Sequence, residues 1–101
     1  MIAEENKKII GYAQVGKTEG LWELLRIYIS PVLIGKGIGA ELMARVEKFL
    51  KKKKATKYIA RPHVRNQIAK NFYKKMGFKR EPRLDEPTSP CYLKQLRVSD
   101  R

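Results

Sequence analysis

Residues 21–42 read LWELLRIYISPVLIGKGIGAEL, and the change of period inside that stretch decides the fold. Leu21 to Ile29 is a run of β-branched, aromatic and aliphatic side chains, the composition of a strand. With unbroken alternation, Leu21, Glu23, Leu25, Ile27 and Ile29 share one face and Trp22, Leu24, Arg26 and Tyr28 the other. Both faces are mostly apolar, so the strand belongs in the interior of a sheet. Ser30-Pro31 ends it, because proline has no N–H to give to a ladder. Beyond Gly35, Gly37 and Gly39 the period becomes helical. Leu42, Met43, Val46, Phe49 and Leu50 form one stripe, with Glu41/Arg45 and Glu47/Lys51 spaced i,i+4 on the polar side. Lys51 to Lys54 closes the helix, where positive charge complements the C-terminal dipole. Alternating glycines between a buried strand and a helix start turn backbone N–H groups and the positive dipole end toward an anion.

Outward from this unit the pattern repeats. Upstream, Lys8 to Val15 (KIIGYAQV) is a strand joined to Leu21–Ile29 through the polar turn Lys17 to Gly20, as a hairpin. Downstream, Lys57 to Ala60 is a third strand stopped by Pro62. A second helix runs from about Asn66, an N-cap, to Met76, with Ile68, Ala69, Phe72 and Met76 on its apolar face. Gly77 is its left-handed terminator and Phe78 folds back on it. Glu81 to Pro90, with three prolines, is a loop or irregular strand, and Cys91 to Val98 alternates as a last strand. The order β-β-α-β-α-(β)-β describes an α/β (α+β) fold with a mixed central sheet flanked by two helices. A strand, a crossover helix and another strand imply a parallel pair at its centre and antiparallel strands around it.

The 101 residues are enough for one domain, 1–101. Lys plus Arg number 23 against 10 Asp plus Glu, a net charge of +13. Such a field attracts anions: a polyphosphorylated cofactor, an acidic protein or nucleic acid. Lysine enrichment from heat adaptation is an equally good source of the charge, and the helix-ending position of Lys51–Lys54 argues against a dedicated nucleic-acid patch. A single cysteine, Cys91, excludes an internal disulfide and reads as a small buried hydrophobe. With the single histidine, His63, it falls short of a structural metal site. No apolar run reaches the length of a membrane span, and Met1 to Lys8 lacks a signal peptide's apolar core, so a cytoplasmic protein is expected.

The glycine loop is neither a Walker A, which requires Gly-Lys-[Ser/Thr], nor a dinucleotide fingerprint, whose spacing is GxGxxG. A second cluster adds to it: Asn66, Ala69, Tyr73, Gly77 and Phe78 stand as N-x-x-A-x-x-x-Y-x-x-x-G-F. Together with SPVLIGKGIGAEL after an apolar strand, this resembles the GNAT family of N-acetyltransferases, over about Lys8 to Leu96. The resemblance implies acetyl-CoA as cosubstrate and a primary amine as acceptor: a small amine, a protein N-terminus or a lysine. It places Tyr28 and Ile29 where strand backbone bonds the pantetheine arm and the acetyl carbonyl. Ile34, Gly35, Lys36, Gly37, Ile38, Gly39 and Ala40 fall where amides hold the pyrophosphate. Asn66 falls where a side chain contacts pantetheine, and Tyr73 is the general acid toward the leaving thiolate.

A base must also take the amine proton. Glu23, on the strand before the cofactor loop, is the candidate, with His63, near the C-terminal end of the third strand, second because imidazole is the side chain most often used as a general base. Two departures from the family pattern stand out. Ile34 replaces the usual Arg or Gln, and the family's first strand and two opening helices have no counterpart before Lys8. The second departure leaves Lys8–Val15 with an unpaired edge and leaves apolar sheet surface to be covered. It implies a homodimer or a partner chain completing the groove, with a seam that avoids Lys51–Lys54. The rival reading is a degenerate module of the same fold that binds acyl-CoA or nucleic acid without catalysis.

Overall fold

The structure, a computed structural model, describes residues 1–5 and 8–97. Its elements are β1 (Ile2–Glu5), β2 (Lys8–Thr18), β3 (Leu21–Ile29), α1 (Ile38–Lys52), β4 (Lys57–Ala60), α2 (Gln67–Lys75), β5 (Lys79–Arg80) and β6 (Tyr92–Gln95). Short 3-10 turns lie at Pro31–Leu33 and Pro82–Leu84. One mixed sheet has the order β1-β2-β3-β4-β6-β5. The expected central parallel pair is β3 and β4, with α1 as its crossover, and every other pairing is antiparallel. The last strand is shorter than the Cys91–Val98 alternation suggests, and Val98 lies outside the described residues.

Three expectations need correction. The outer edge of β2 is not bare, because β1 pairs along it, Ile2 opposite Tyr12 and Glu5 opposite Lys8. The residues IAEE are too polar and too short to announce a strand. They form one because β2 offers a ladder and because Ala3 is buried beneath the sheet. Second, the faces of β3 do not alternate throughout. Opposite Gln14 and Val15 the register jumps from Arg26 to Leu24, so Leu25 is an extra residue. Trp22, packed edge-on to Phe49 of α1, and Leu24 therefore share the helix-covered face with Ile27 and Ile29. Third, Glu47 does not pair with Lys51. Its carboxylate accepts from the Tyr58 hydroxyl at 2.7 Å and pairs with Lys94 at 2.7 Å, stitching α1 to β4 and β6. Glu41 and Arg45 do form the expected pair, at 2.7 Å.

The core lies between the sheet and α1. Leu42, Met43, Val46 and Leu50 are buried there with Ala13, Leu24, Tyr58 and Ala60, each large aliphatic contributing about 1.5–3 kcal/mol relative to exposure. Gly11 of β2 sits under α1 at a distance that admits no side chain, since a Cβ there would fall 3.1 Å from Leu42 and 2.9 Å from the Tyr28 carbonyl. Beyond α2, Tyr73, Phe78 and Tyr58 form an aromatic chain with successive centroids 5.3 and 5.0 Å apart. Phe78 does fold back, its N–H donating to the Tyr73 carbonyl. The segment after it is pinned by Asp85, which accepts from Arg80 at 2.7 Å and from the Cys91 N–H at 2.6 Å. These donors hold its carboxyl down at about 2. Cys91 is fully buried, and burial pushes its thiol up. No helix among the described residues is long and apolar enough to cross a membrane.

Candidate active site

The loop between β3 and α1 is built to leave amides free. Gly35 and Gly37 have φ of +88° and +85°, a region that costs other residues about 1–2 kcal/mol, and a Cβ at either would meet open space. Those glycines are therefore required by backbone conformation rather than by crowding. Gly37 is the N-cap of α1 and carries no side chain to satisfy the first turn. The N–H groups of Ile38, Gly39 and Ala40 thus lack intrahelical partners and face outward with the positive end of the dipole. Two amides of the expected set are engaged within the loop: Lys36 donates to Leu33 at 3.2 Å and Ile34 to Pro31 at 3.5 Å. Ile38 turns its side chain into the core against Gly11, so its backbone alone faces the loop.

Gly39 is required for the opposite reason. A Cβ there would fall 2.9 Å from Phe72 of α2 and 3.0 Å from Ile29 of β3, so the start of α1 is pressed against both. This approach closes the floor of a cavity of about 450 Å³ lined by Ile29, Gly37, Gly39, Asn66, Phe72 and Tyr73 among others, with Ile34 at its side and Lys75 the cation. Ile68, expected on the buried face of α2, is instead 80% exposed and borders this cavity; Tyr73 takes the buried position.

Asn66 does two jobs. Its Oδ1 accepts from the Ala69 N–H at 3.0 Å and caps α2, which leaves the amide NH₂ facing the cavity as donor. The Tyr73 ring is buried among Phe72, Phe78 and Tyr92, and burial pushes its hydroxyl up to about 12. No side-chain oxygen is buried without a partner among the described residues, so the hydroxyl opens into the cavity that Tyr73 lines. At neutral pH it is a protonated donor.

A second, shallower cleft of about 320 Å³ lies on the open face of the sheet, lined by Tyr12, Arg26, Tyr28 and Arg61. It shares Ile27, Asn66, Ala69 and Tyr73 with the first cavity. The two meet where the central strands part: β4 pairs with β3 only at Glu23 and Leu24, so residues 25–29 of β3 have no strand partner on the β4 side. Tyr28 stacks on Tyr12 at 5.6 Å over the open face, while Ile29 faces the first cavity. A ligand could thus lie along β3 in the gap, as a strand would, with its reactive end under Tyr73.

The base candidates lie outside this junction. Glu23 sits on β3 behind the cleft wall, its carboxylate 12% exposed and accepting from Arg61 at 3.2 Å. His63 is an exposed loop residue whose Nδ1 accepts the Arg65 N–H at 3.0 Å. Neither lines either cavity. Arg61, Arg26 and Tyr12 were not singled out from the sequence. Arg61 follows a buried strand and precedes Pro62, a position that signals only a strand end, and the alternation groups Arg26 with Trp22 and Leu24, from which the bulge separates it.

Comparison with known proteins gives the family and the fold. A statistical model of the acetyltransferase (GNAT) domain matches residues 1–80. Spermidine N(1)-acetyltransferase of Thermoplasma acidophilum is 36% identical over 73 residues, 72% of this chain and 45% of that protein. The crystal structure of the PaiA N-acetyltransferase from the same organism, in complex with coenzyme A, superposes with a TM-score of 0.85 at 30% identity, over 93% of this chain and 58% of that one. An acetyltransferase of Staphylococcus aureus Mu50 reaches the same TM-score at 17% identity over 95% of this chain and 66% of that one, a likeness of fold alone. The chain spans less than half of the curated relative and under two-thirds of the coenzyme A complex. With the family match covering most of its length, and the glycine loop and the Asn66–Tyr73 helix meeting at one cavity, the chain belongs to the GNAT family of acetyltransferases.

Proposed function

We propose that the chain is an N-acetyltransferase that uses acetyl-CoA as its donor and a primary amine as acceptor. The observation that carries this is the junction of two cavities under one tyrosine: an amide-lined pocket on one side, an open cleft on the other, and Tyr73 bordering both. Bound acetyl-CoA would supply an activated thioester. The N–H groups of Gly37, Ile38, Gly39 and Ala40 would hold its pyrophosphate at the start of α1, assisted by Lys75, with Gly35, Lys36 and Ile34 shaping the loop. Asn66 donates its amide to the arm, and the Tyr28–Ile29 backbone bonds the arm and the acyl oxygen, on which negative charge grows. Tyr73 keeps its proton at neutral pH and donates a hydrogen bond to the departing sulfur. Since a free thiol titrates at about 8.5, below this phenol, net transfer of the proton is favourable only together with release of the amine proton. That proton leaves through water toward Glu23, whose Oε1 accepts from Arg61 and whose Oε2 has no hydrogen-bond donor among the described residues.

The engagement of Glu23 by Arg61 is what favours the rival reading, a module that binds acyl-CoA without turnover. Thiol release separates the two. With acetyl-CoA and a panel of primary amines, free thiol should appear in step with acetylated amine. Binding of coenzyme A without acceptor-dependent thiol release would leave only the binding module.

The open face also supports the expected second copy. Ile2, Tyr12 and Tyr28 stand in one row across β1, β2 and β3, with Leu25 beside it, all at least partly exposed. We assign the β1 end of this face, at Ile2, as the seam of a homodimer, which leaves the cleft over Tyr12 and Tyr28 open to the acceptor. Sedimentation at micromolar concentration and moderate salt should show the dimer, and a fully active monomer would refute it.

A further inference from the structure

We propose that the acceptor amine carries negative charge: a primary amine with a carboxylate within a few bonds of it, rather than a polyamine. The inference rests on the acetyltransferase reading above and concerns the open cleft beside Tyr73. Its lining holds two cations, Arg26 and Arg61, and no carboxylate. Arg26 is exposed on β3 and makes no ion pair among the described residues. Arg61 is held rigidly, its Nε donating to the Leu84 carbonyl at 3.0 Å and its Nη1 to Glu23 at 3.2 Å, with Glu86 at 4.0 Å. These contacts leave Nη2 as the guanidinium's open donor. The carboxylates near the cleft, Glu23 and Glu86, both face Arg61, and Glu23 is already matched by it. A polycation would have to bring its spare ammonium groups against two guanidinium groups in a chain of net charge +13. A carboxylate in the same place would pair with Arg26 and with the open edge of Arg61, while the stacked Tyr12 and Tyr28 supply an apolar floor for the carbon skeleton. The cleft therefore selects for charge opposite to that of spermidine, the acceptor named for the Thermoplasma relative.

Two readouts keep this claim apart from the enzymatic one. Calorimetry in moderate salt measures binding of glutamate, of a short peptide with acidic residues after its free N-terminus, and of spermidine to the full chain. Thiol release then measures KM and kcat for the same three. Either acidic amine should bind, and have a KM, at least about tenfold more favourably than spermidine, the size expected for one charge-assisted hydrogen bond. The arm that binds tighter tells whether a free amino acid or a peptide is the source. Arg26→Glu, at an exposed position that will not disturb folding, should raise KM for the acidic amines about tenfold with kcat little changed, and should lower it for spermidine. Lys52→Glu, which changes the net charge equally at the far end of α1, should leave all three alone. Tighter binding of spermidine, or equal responses to Arg26→Glu and Lys52→Glu, overturns the proposal even if acetyl transfer is found. Binding preference for the acidic amines without turnover overturns the enzymatic reading and leaves the charge selection standing.

Discussion

Gly37→Glu should fold and yet bind coenzyme A at least about a hundredfold more weakly, as read by calorimetry. A Cβ at that position meets nothing within 4 Å, so the substitution brings no clash, and the left-handed φ of +85° costs only about 1–2 kcal/mol. What changes is the charge. A carboxylate would stand at the N-cap, where the free N–H groups of Ile38, Gly39 and Ala40 would otherwise face a pyrophosphate. It would both satisfy them and repel the ligand, and each charge-assisted bond displaced is worth roughly 1.5–3 kcal/mol. Gly39→Glu should lose binding as completely, for a second reason: its Cβ would push Phe72 and Ile29 apart and open the cavity floor. Unchanged affinity in folded Gly37→Glu would remove the cofactor assignment.

Tyr73→Phe is expected to leave coenzyme A affinity nearly intact and to lower kcat by roughly ten- to a thousandfold, the range for a lost acid and its hydrogen bond. The ring is fixed by Phe72, Phe78 and Tyr92, so the phenylalanine keeps the packing and deletes the hydroxyl alone. Equal turnover would return Tyr73 to a packing role. The pH dependence carries a sign. The hydroxyl is raised from 10.0 to about 12 in the fold, so the stability of its neutral form is complete below pH 10 and is lost as pH rises toward 12. The variant should lack that alkaline loss. A rate limb at lower pH belongs to another group, and its disappearance in Glu23→Gln would identify the base.

Much of this was legible in the sequence because several signals coincide there. The boundaries of β3 and β4 follow from Pro31 and Pro62, the span of α1 from its stripe and lysine run, and that of α2 from Asn66 and Gly77. The glycine-loop side of the candidate site was legible for the same reason, since glycines with positive φ and an N-cap are chosen for local backbone geometry. The open-cleft side was not. Its wall depends on a one-residue bulge at Leu25, which moves Ile27 and Ile29 to the helix-covered face and Arg26 to the open one, and nothing in LWELLRIYI marks the extra residue. β1 was missed because its strand character comes from β2's free ladder and not from its own side chains. Arg61's role comes from Glu23, 38 positions away in sequence, and from Leu84 in a proline-rich loop. Ile68 misled because its spacing is that of a core residue, while the place it points to is a cavity.

The parting of β3 and β4 also has a thermodynamic consequence. Five residues in the middle of the sheet lack the second strand that would normally share their ladder. The domain therefore folds with an internal edge and forgoes the cohesion a continuous sheet would have there. Any molecule that lies along that edge completes the ladder, and because it binds only the native state it shifts the folding equilibrium. At a hundred times its dissociation constant the gain is about 2.7 kcal/mol. For a domain of this size that corresponds to a rise in melting temperature of roughly 10–20 °C, at about 4–8 °C per kcal/mol. A ligand seated in that gap would thus act as a structural element of the sheet, and the stability of the fold would rise with its supply.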